Sequence, residues 1–276
     1  MGSEHEHLDS LELARDARIR VLEMCARASA PHVASSLSCI DILAVLYAGK
    51  AGVQLPTGAT RGDTVIVSKG HAAAGTYAVL AEAGYFPRDW LLEYCVDGSP
   101  LGGHVMSAVP GVELSTGSLG HGLPFGTGVA LANKLDGKPT SVYVVMSDGE
   151  CDEGSTWEAG LFAAHHKLGG LIAIIDRNGI QSLGGTEETL QLEPLAEKWQ
   201  AFGWHVLEID GHDHQELASA LNICRRESSK PSVVICQTVK GKGVSFMENE
   251  VVWHYRPPTF DQARDGIAEI KGRVAS

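Results

Sequence analysis

Five short apolar runs constrain this chain more than any other feature of its sequence: Val65–Val67, Val142–Met146, Leu171–Ile175, Val206–Ile209 and Val233–Cys236. Apart from Glu208 in the fourth, the runs are unbroken by charged residues, and each is bounded by turn-forming or polar positions. A strand with one wet face alternates; an unbroken run fits a strand covered on both faces, as in a parallel sheet. Helical patterns lie between the runs. Leu11–Ala28 is long and amphipathic, and Ile40–Tyr47 is a second helical segment. Trp157, Leu161, Ala164 and Leu168 recur at a spacing that predicts one buried helix face, and Ser155 with Glu158 forms an S-x-x-E box expected to start that helix. Alternating strand and helix predict right-handed βαβ units and an α/β fold, a doubly wound, mostly parallel sheet flanked by helices. With 276 residues and no internal repeat or low-complexity linker, a single domain is expected over residues 11–276, after a mobile tail at 1–10.

Composition excludes several classes of function. A formal charge of −12 without Lys or Arg clusters argues against a nucleic-acid surface. No apolar run approaches the roughly 18 residues of a membrane span, and the acidic start MGSEHEHLDS does not read as a signal peptide. Six cysteines without a C-x-x-C pair fit reduced, mostly packed thiols in a cytoplasmic protein.

The run Val142–Met146 leads into SDGECDEG, Ser147–Gly154. The glycines suffice for a turn; the acids need another reason. In open α/β sheets ligands sit at the carboxyl ends of the strands. Asp148 is at one such end, and Asp176 and Asn178 are at the next, in IIDRNGI. If the two strands are neighbours, Asp148 and Asn178 meet in one crevice. An Asp, an Asn amide oxygen and a backbone carbonyl are hard oxygen ligands suited to Mg²⁺ or Ca²⁺. Because Mg²⁺ usually completes its shell with water and phosphate oxygens, a phosphorylated cofactor is implied, held in part by glycine amides and a helix N-terminus. The plainer reading is that Asp148 and Glu153 are solvated turn residues and Asn178-Gly179 is only a turn.

The segment DGECDEGSTWEAGLFAAHHKLGGLIAIIDRN resembles the thiamin-diphosphate motif, which opens with G-D-G and closes with Asn. SAPHVASSLSCIDILAVLY, VIVSKGHAAAGTYAVLAEAGY, GGHVMSAVPGVELSTGSLGHGL and KGKGVSFMENEVVWHYRPP resemble, in the same order, segments of the diphosphate-binding N-terminal part of transketolase. That resemblance runs from about Arg15 to Pro258. It implies thiamin diphosphate and Mg²⁺ (with Ca²⁺ or Mn²⁺ as substitutes), the ion bound by Asp148, Asn178 and the Ile180 carbonyl. It further implies that His71 and Gly117 contact the diphosphate, that Gly149 belongs to the cofactor-binding turn, and that Ser118 and Leu119 border the cofactor. Glu153 would be an acid buried near a dimer contact, and His32, His104 and His254 would face the substrate as catalytic residues. Ketol transfer moves protons at sugar hydroxyls, which suits imidazoles titrating near neutrality. His165, His166, His212 and His214 carry no such pattern and are expected to be ordinary helix-face or loop residues. The glycine-rich GSLGHGLPFGTG misses the dinucleotide fingerprint by one position and follows no strand, so NAD is rejected.

The sequence departs from the family pattern at Ser147 for the first Gly of G-D-G, at Val33-Ala34 after His32, at Val105 after His104, and at Ser118 for Pro. These departures leave the metal ligands in place and put the sugar in doubt. Transketolases continue with a pyrimidine-binding domain that is not in this sequence. The resemblance therefore implies a separate partner, the C-terminal transketolase subunit, in an α2β2 assembly acting on sugar phosphates. Two alternatives stay open: a thiamin-dependent 2-oxo acid decarboxylase or dehydrogenase subunit, and a non-catalytic cofactor-binding homologue.

Overall fold

A computed structural model describes residues 8–49, 53 and 62–272. Its strands are β1 (Thr64–Val67), β2 (Val142–Ser147), β3 (Leu171–Arg177), β4 (His205–Asp210) and β5 (Ser232–Gln237). They form one sheet of order β1-β2-β3-β5-β4, and every pairing is parallel. The helices are α1 (Ser10–Ala28), α2 (Val33–Tyr47), α3 (Ala73–Glu82), α4 (Gly122–Leu135), α5 (Gly154–His165), α6 (Thr186–Thr189), α7 (Leu195–Ala201), α8 (His214–Arg226) and α9 (Phe260–Gly272).

Each apolar run becomes a strand, and the sheet has a core on both faces. Tyr143, Val145, Ile172, Ile174 and Val234 face a core shared with α1, α2, α3 and α8. Val142, Val144, Ala173, Ile175 and Val233 face the other, with α4, α5 and α7. This double covering is why the runs do not alternate. The edge strand β4 is the exception: its residues are half-buried or exposed, because nothing pairs beyond it among the described residues. Five of the cysteines are buried and Cys95 is exposed. Among the described residues, no helix is long and apolar enough to cross a membrane.

Four expectations differ from the structure. The second helix starts at Val33, not Ile40, and all of its residues are buried. A helix hidden on every side has no polar stripe, so the Ser-rich start gave no amphipathic signal. Ser155 and Glu158 form no capping box: helix α5 already begins at Gly154, and the Ser155 hydroxyl donates to the Gly120 carbonyl at 2.7 Å. That helix also turns a different face inward, the small residues Thr156, Ala159, Gly160 and Ala163, and leaves Leu161 58% exposed. The expected tail lies outside the described residues up to position 7; Ser10 is already helical, with Asp9 as its cap accepting from the Leu11 amide at 2.7 Å.

One fully buried ion pair, Lys69 with Asp176, crosses the sheet beneath the carboxyl ends of its strands. Lys69 follows β1 and Asp176 lies in β3. The Asp176 carboxylate also accepts from Ser38 of α2 at 2.6 Å, from Asn178 at 3.1 Å, and from Thr238 just after β5. Lys69 donates further to the Ser35 carbonyl at 3.1 Å. Burial works against both charges, but mutual attraction outweighs it: the Lys69 ammonium is held above its ordinary range and the Asp176 carboxyl below. Removing one member strands the other charge in the interior. Lys69→Met is therefore expected to cost about 3–5 kcal/mol, read as a drop in the urea midpoint; a loss under about 1 kcal/mol would contradict this role.

Candidate active site

The register of β2 on β3 sets Ser147 opposite Asp176, so the residues that follow enter one crevice together. Asp148 is 1% exposed. Its Oδ1 accepts from the Gly149 amide at 2.8 Å, and its Oδ2 accepts from the Gly179 amide at 2.7 Å and from Arg177 at 3.2 Å. Burial, reinforced by nearby Asp176, pushes its carboxyl up, while the Gly179 amide, Arg177 and the Gly149 amide oppose the shift. Asn178 is oriented by two bonds: Nδ2 donates to Asp176, and Oδ1 accepts from the Ile180 amide at 3.1 Å. The Ile180 carbonyl accepts from Lys240 Nζ at 2.8 Å. The three oxygens expected to bind a metal thus lie in one locality. They are hard donors, and each keeps lone-pair capacity beyond these bonds, so the residues fit a Mg²⁺–diphosphate group.

A cavity of about 220 Å³ lies here. His32, His71, Gly117, Leu119, Asp148, Gly149, Asn178, Ile180 and His254 all line it, together with Ser35, Gln181, Lys240 and Tyr255. The His32 ring centroid is 5.6 Å from that of His71, 5.7 Å from His104 and 5.2 Å from His254. His104 is exposed and stands at the rim; a Cβ on Gly117 would lie 3.4 Å from its ring, so this loop passes close against the imidazole. Ser118 is exposed and does not line the cavity. Glu153 is likewise exposed on this chain. The short 3₁₀ turn Asp148–Asp152 sends Glu150 inward instead. Glu150 accepts from the Ser68 hydroxyl and, at 2.9 Å, from the Gly120 amide. It thereby ties the loop that carries Gly117 and Leu119 to the end of β2.

The local chain explains the histidine cluster. His32 sits at the start of α2 with φ of 67°, and its amide donates to the His254 carbonyl at 2.8 Å. Gly70, just before His71, packs so tightly that a Cβ would lie 2.3 Å from the Thr116 carbonyl oxygen. Burial pushes the His32 imidazole down to about 4, helped by His104 and Lys240, and His254 down to about 3, helped by Lys240 and His32. His71 is also held well below its ordinary value, by burial and then by Lys69. Burial thus favours the neutral form of His32, His71 and His254. Lys240 Nζ lies 2.9 Å from His254 Nδ1, which must accept, leaving the His254 proton on Nε2. Burial, then Lys69, lowers the Lys240 ammonium to about 8.

Sequence reading missed Lys69, Glu150, Lys240 and Tyr255. Lys240 and Tyr255 lay within the KGKG and WHYRPP stretches, but nothing in their spacing pointed at a crevice.

The fold and the cavity define an α/β protein with a ligand crevice at the carboxyl ends of two adjacent parallel strands. Residues 10–271 match the family described as the thiamine diphosphate binding domain of transketolase, and the chain belongs to that family. It is 39% identical to one of the subunits of the apulose-4-phosphate transketolase of Phocaeicola vulgatus, covering 97% of this chain and 96% of that protein. It is 38% identical to the 6-deoxy-6-sulfo-D-fructose transketolase subunit SqwG of a Clostridium species, covering 96% and 98% respectively. The solved transketolase of Campylobacter jejuni superposes with a TM-score of 0.87 at 28% identity, over 98% of this chain but 43% of that one. The chain likewise spans 42% of rat transketolase, at 34% identity.

The depressed imidazoles have a consequence for stability. Their folded values, about 4 for His32 and about 3 for His254, lie below the ordinary value of about 6.5. As pH falls, the unfolded chain therefore takes up protons first. The stability these groups contribute is fully present above about pH 6.5 and is lost as pH falls toward their folded values. His32→Asn should flatten the fall of the urea midpoint between about pH 6.5 and 4; an identical fall in the variant and the parent would contradict the burial of a neutral ring.

Proposed function

We propose that this chain is the diphosphate-binding subunit of a two-chain transketolase. With thiamin diphosphate and Mg²⁺ it would transfer a two-carbon ketol unit from a ketose phosphate to an aldose phosphate. The observation that carries this reading is the convergence of Asp148, Asn178 and the Ile180 carbonyl on one cavity with His32, His71 and His254. Asp148, Asn178 and Ile180 would hold the ion, with Ca²⁺ or Mn²⁺ as substitutes. His71 and the Gly117 and Gly149 backbone would hold the diphosphate, with Leu119 and Ser118 along the cofactor. The cofactor supplies the electron sink for cleaving and forming carbon–carbon bonds.

The residues of this chain bind and orient. His32, His104 and His254 form a polar wall for the sugar hydroxyls, and a neutral imidazole can both donate to and accept from a hydroxyl. A phosphate anion beside His32 and His254 would raise their proton affinity, bringing them toward the range needed for proton transfer. Glu153, exposed on this chain, would be covered by the partner.

Support for a second polypeptide comes from the relatives: two proteins named as transketolase subunits match this chain over nearly their whole length, whereas full transketolases are more than twice as long. The partner would be a pyrimidine-binding C-terminal subunit in an α2β2 complex in the cytoplasm.

Asp148→Ala tests the site. Mg²⁺-dependent binding of thiamin diphosphate, measured by titration calorimetry on the complex, should weaken by about 100-fold or more, roughly 2.7 kcal/mol. Ketol transfer should fall with it. Unchanged cofactor affinity in the variant would remove Asp148 as a metal ligand. Full binding without ketol transfer in the parent complex would favour a non-catalytic homologue.

A further inference from the structure

A buried cluster of charged and imidazole groups joins α1, α2 and the chain leading from β4 into α8. Asp41 of α2 is 5% exposed and takes a bidentate pair from Arg18 of α1, at 3.0 and 2.5 Å. Two imidazoles complete its shell: His212 Nδ1 at 2.6 Å from Oδ2 and His214 Nε2 at 3.0 Å from Oδ1. Burial opposes the Asp41 charge, but Arg18 and the two rings hold its carboxyl well below the usual range.

The other nitrogen of His212 reaches the functional loop. The Val239 amide donates to His212 Nε2 at 2.8 Å. A backbone N–H can only donate, so Nε2 carries no proton, and Nδ1 must carry the one that is given to Asp41. One tautomer alone satisfies both bonds. The residue after Val239 is Lys240, whose ammonium bridges the Ile180 carbonyl at 2.8 Å and His254 at 2.9 Å. Arg18 reinforces the same loop from the other side, its Nε donating to the Lys242 carbonyl at 3.3 Å. The Gly241 amide, in turn, donates to the Ala34 carbonyl at 3.0 Å.

We propose that His212 is a positioning residue: locked as the Nδ1–H tautomer by Asp41, it accepts from the Val239 amide and so fixes the backbone from which Lys240 reaches Ile180 and His254. The chain of contacts runs from α1 and α2, through the loop after β4, to the loop after β5. It sets where a cation stands in the crevice without His212 touching any ligand. Its effect on cofactor affinity rests on the functional reading above; its effect on Lys240 does not.

Two substitutions separate positioning from mere packing. The amide nitrogen of Asn overlies Nδ1, so His212→Asn keeps a donor for Asp41 and loses the acceptor for Val239. The longer His212→Gln can place its oxygen near the Nε2 position and keeps that acceptor while losing the donor. Hydrogen exchange at the Val239 amide and the ¹⁵N shift of His254 Nδ1 are read on the full chain. Thiamin diphosphate with Mg²⁺ is then titrated into the complex. The Asn variant should exchange Val239 about tenfold faster, lose the Lys240 signature on His254, and bind the cofactor about tenfold more weakly; the Gln variant should stay within about twofold. Equal behaviour of the two variants in these readouts, whatever their melting temperatures, overturns the proposal. So does a protonated Nε2 on His212 in the unmodified protein, a measurement that needs no variant to fold. If the parent complex binds no thiamin diphosphate, the functional reading fails, while exchange and the nitrogen shift still decide the role of His212.

Discussion

The ion pair between Lys69 and Asp176 is the interaction on which the rest of this site depends. Both side chains are wholly buried, and between them they engage the end of β1, β3, α2 and the segment after β5. A pair so placed does little for net stability compared with an apolar replacement, because desolvation cancels most of the attraction. Its value lies in geometry. With Asp176 pinned, Asn178 is oriented through its amide, and the backbone that presents Gly179 and Ile180 to the crevice follows. The carboxyl ends of β2 and β3 then have one arrangement.

Above that floor, the cavity has an electrostatic character opposite to that of the chain. The protein carries a formal charge of −12, yet its crevice holds Lys240 and lies over Lys69, and it is walled by imidazoles that burial keeps neutral. Asp148 is the acid among the lining residues. Such a lining suits an anion accompanied by a divalent cation: the anion faces the ammonium and the rings, and the cation faces the carboxylate. The proposed Mg²⁺–diphosphate group has this charge pattern.

Much of this was legible in the sequence, and what was not has physical reasons. The unbroken runs pointed to the parallel sheet, and Asp148 and Asn178 could be placed at adjacent strand ends because ligands in such sheets gather there. The start of α2 was hidden, since a helix buried on all sides carries no polar stripe. The inward face of α5 is built from Ala, Gly and Thr, so the larger Leu161 misled. The Lys69–Asp176 pair joins positions 107 residues apart, and the His212–Asp41 pair joins positions 171 apart. Neither spacing obeys any local period. Glu150 and Glu153 look alike in a run of acids, and only the turn geometry sends one inward and leaves the other at the surface.

The central claim is that this crevice is half of an active site whose other half belongs to a different polypeptide. The most direct measurement is the native mass and polypeptide content of the complex isolated from the protein's own cells. The account predicts a complex holding a second, different chain in equal amount, together with thiamin diphosphate. A monomer or homodimer that carries the cofactor with no second chain would contradict it.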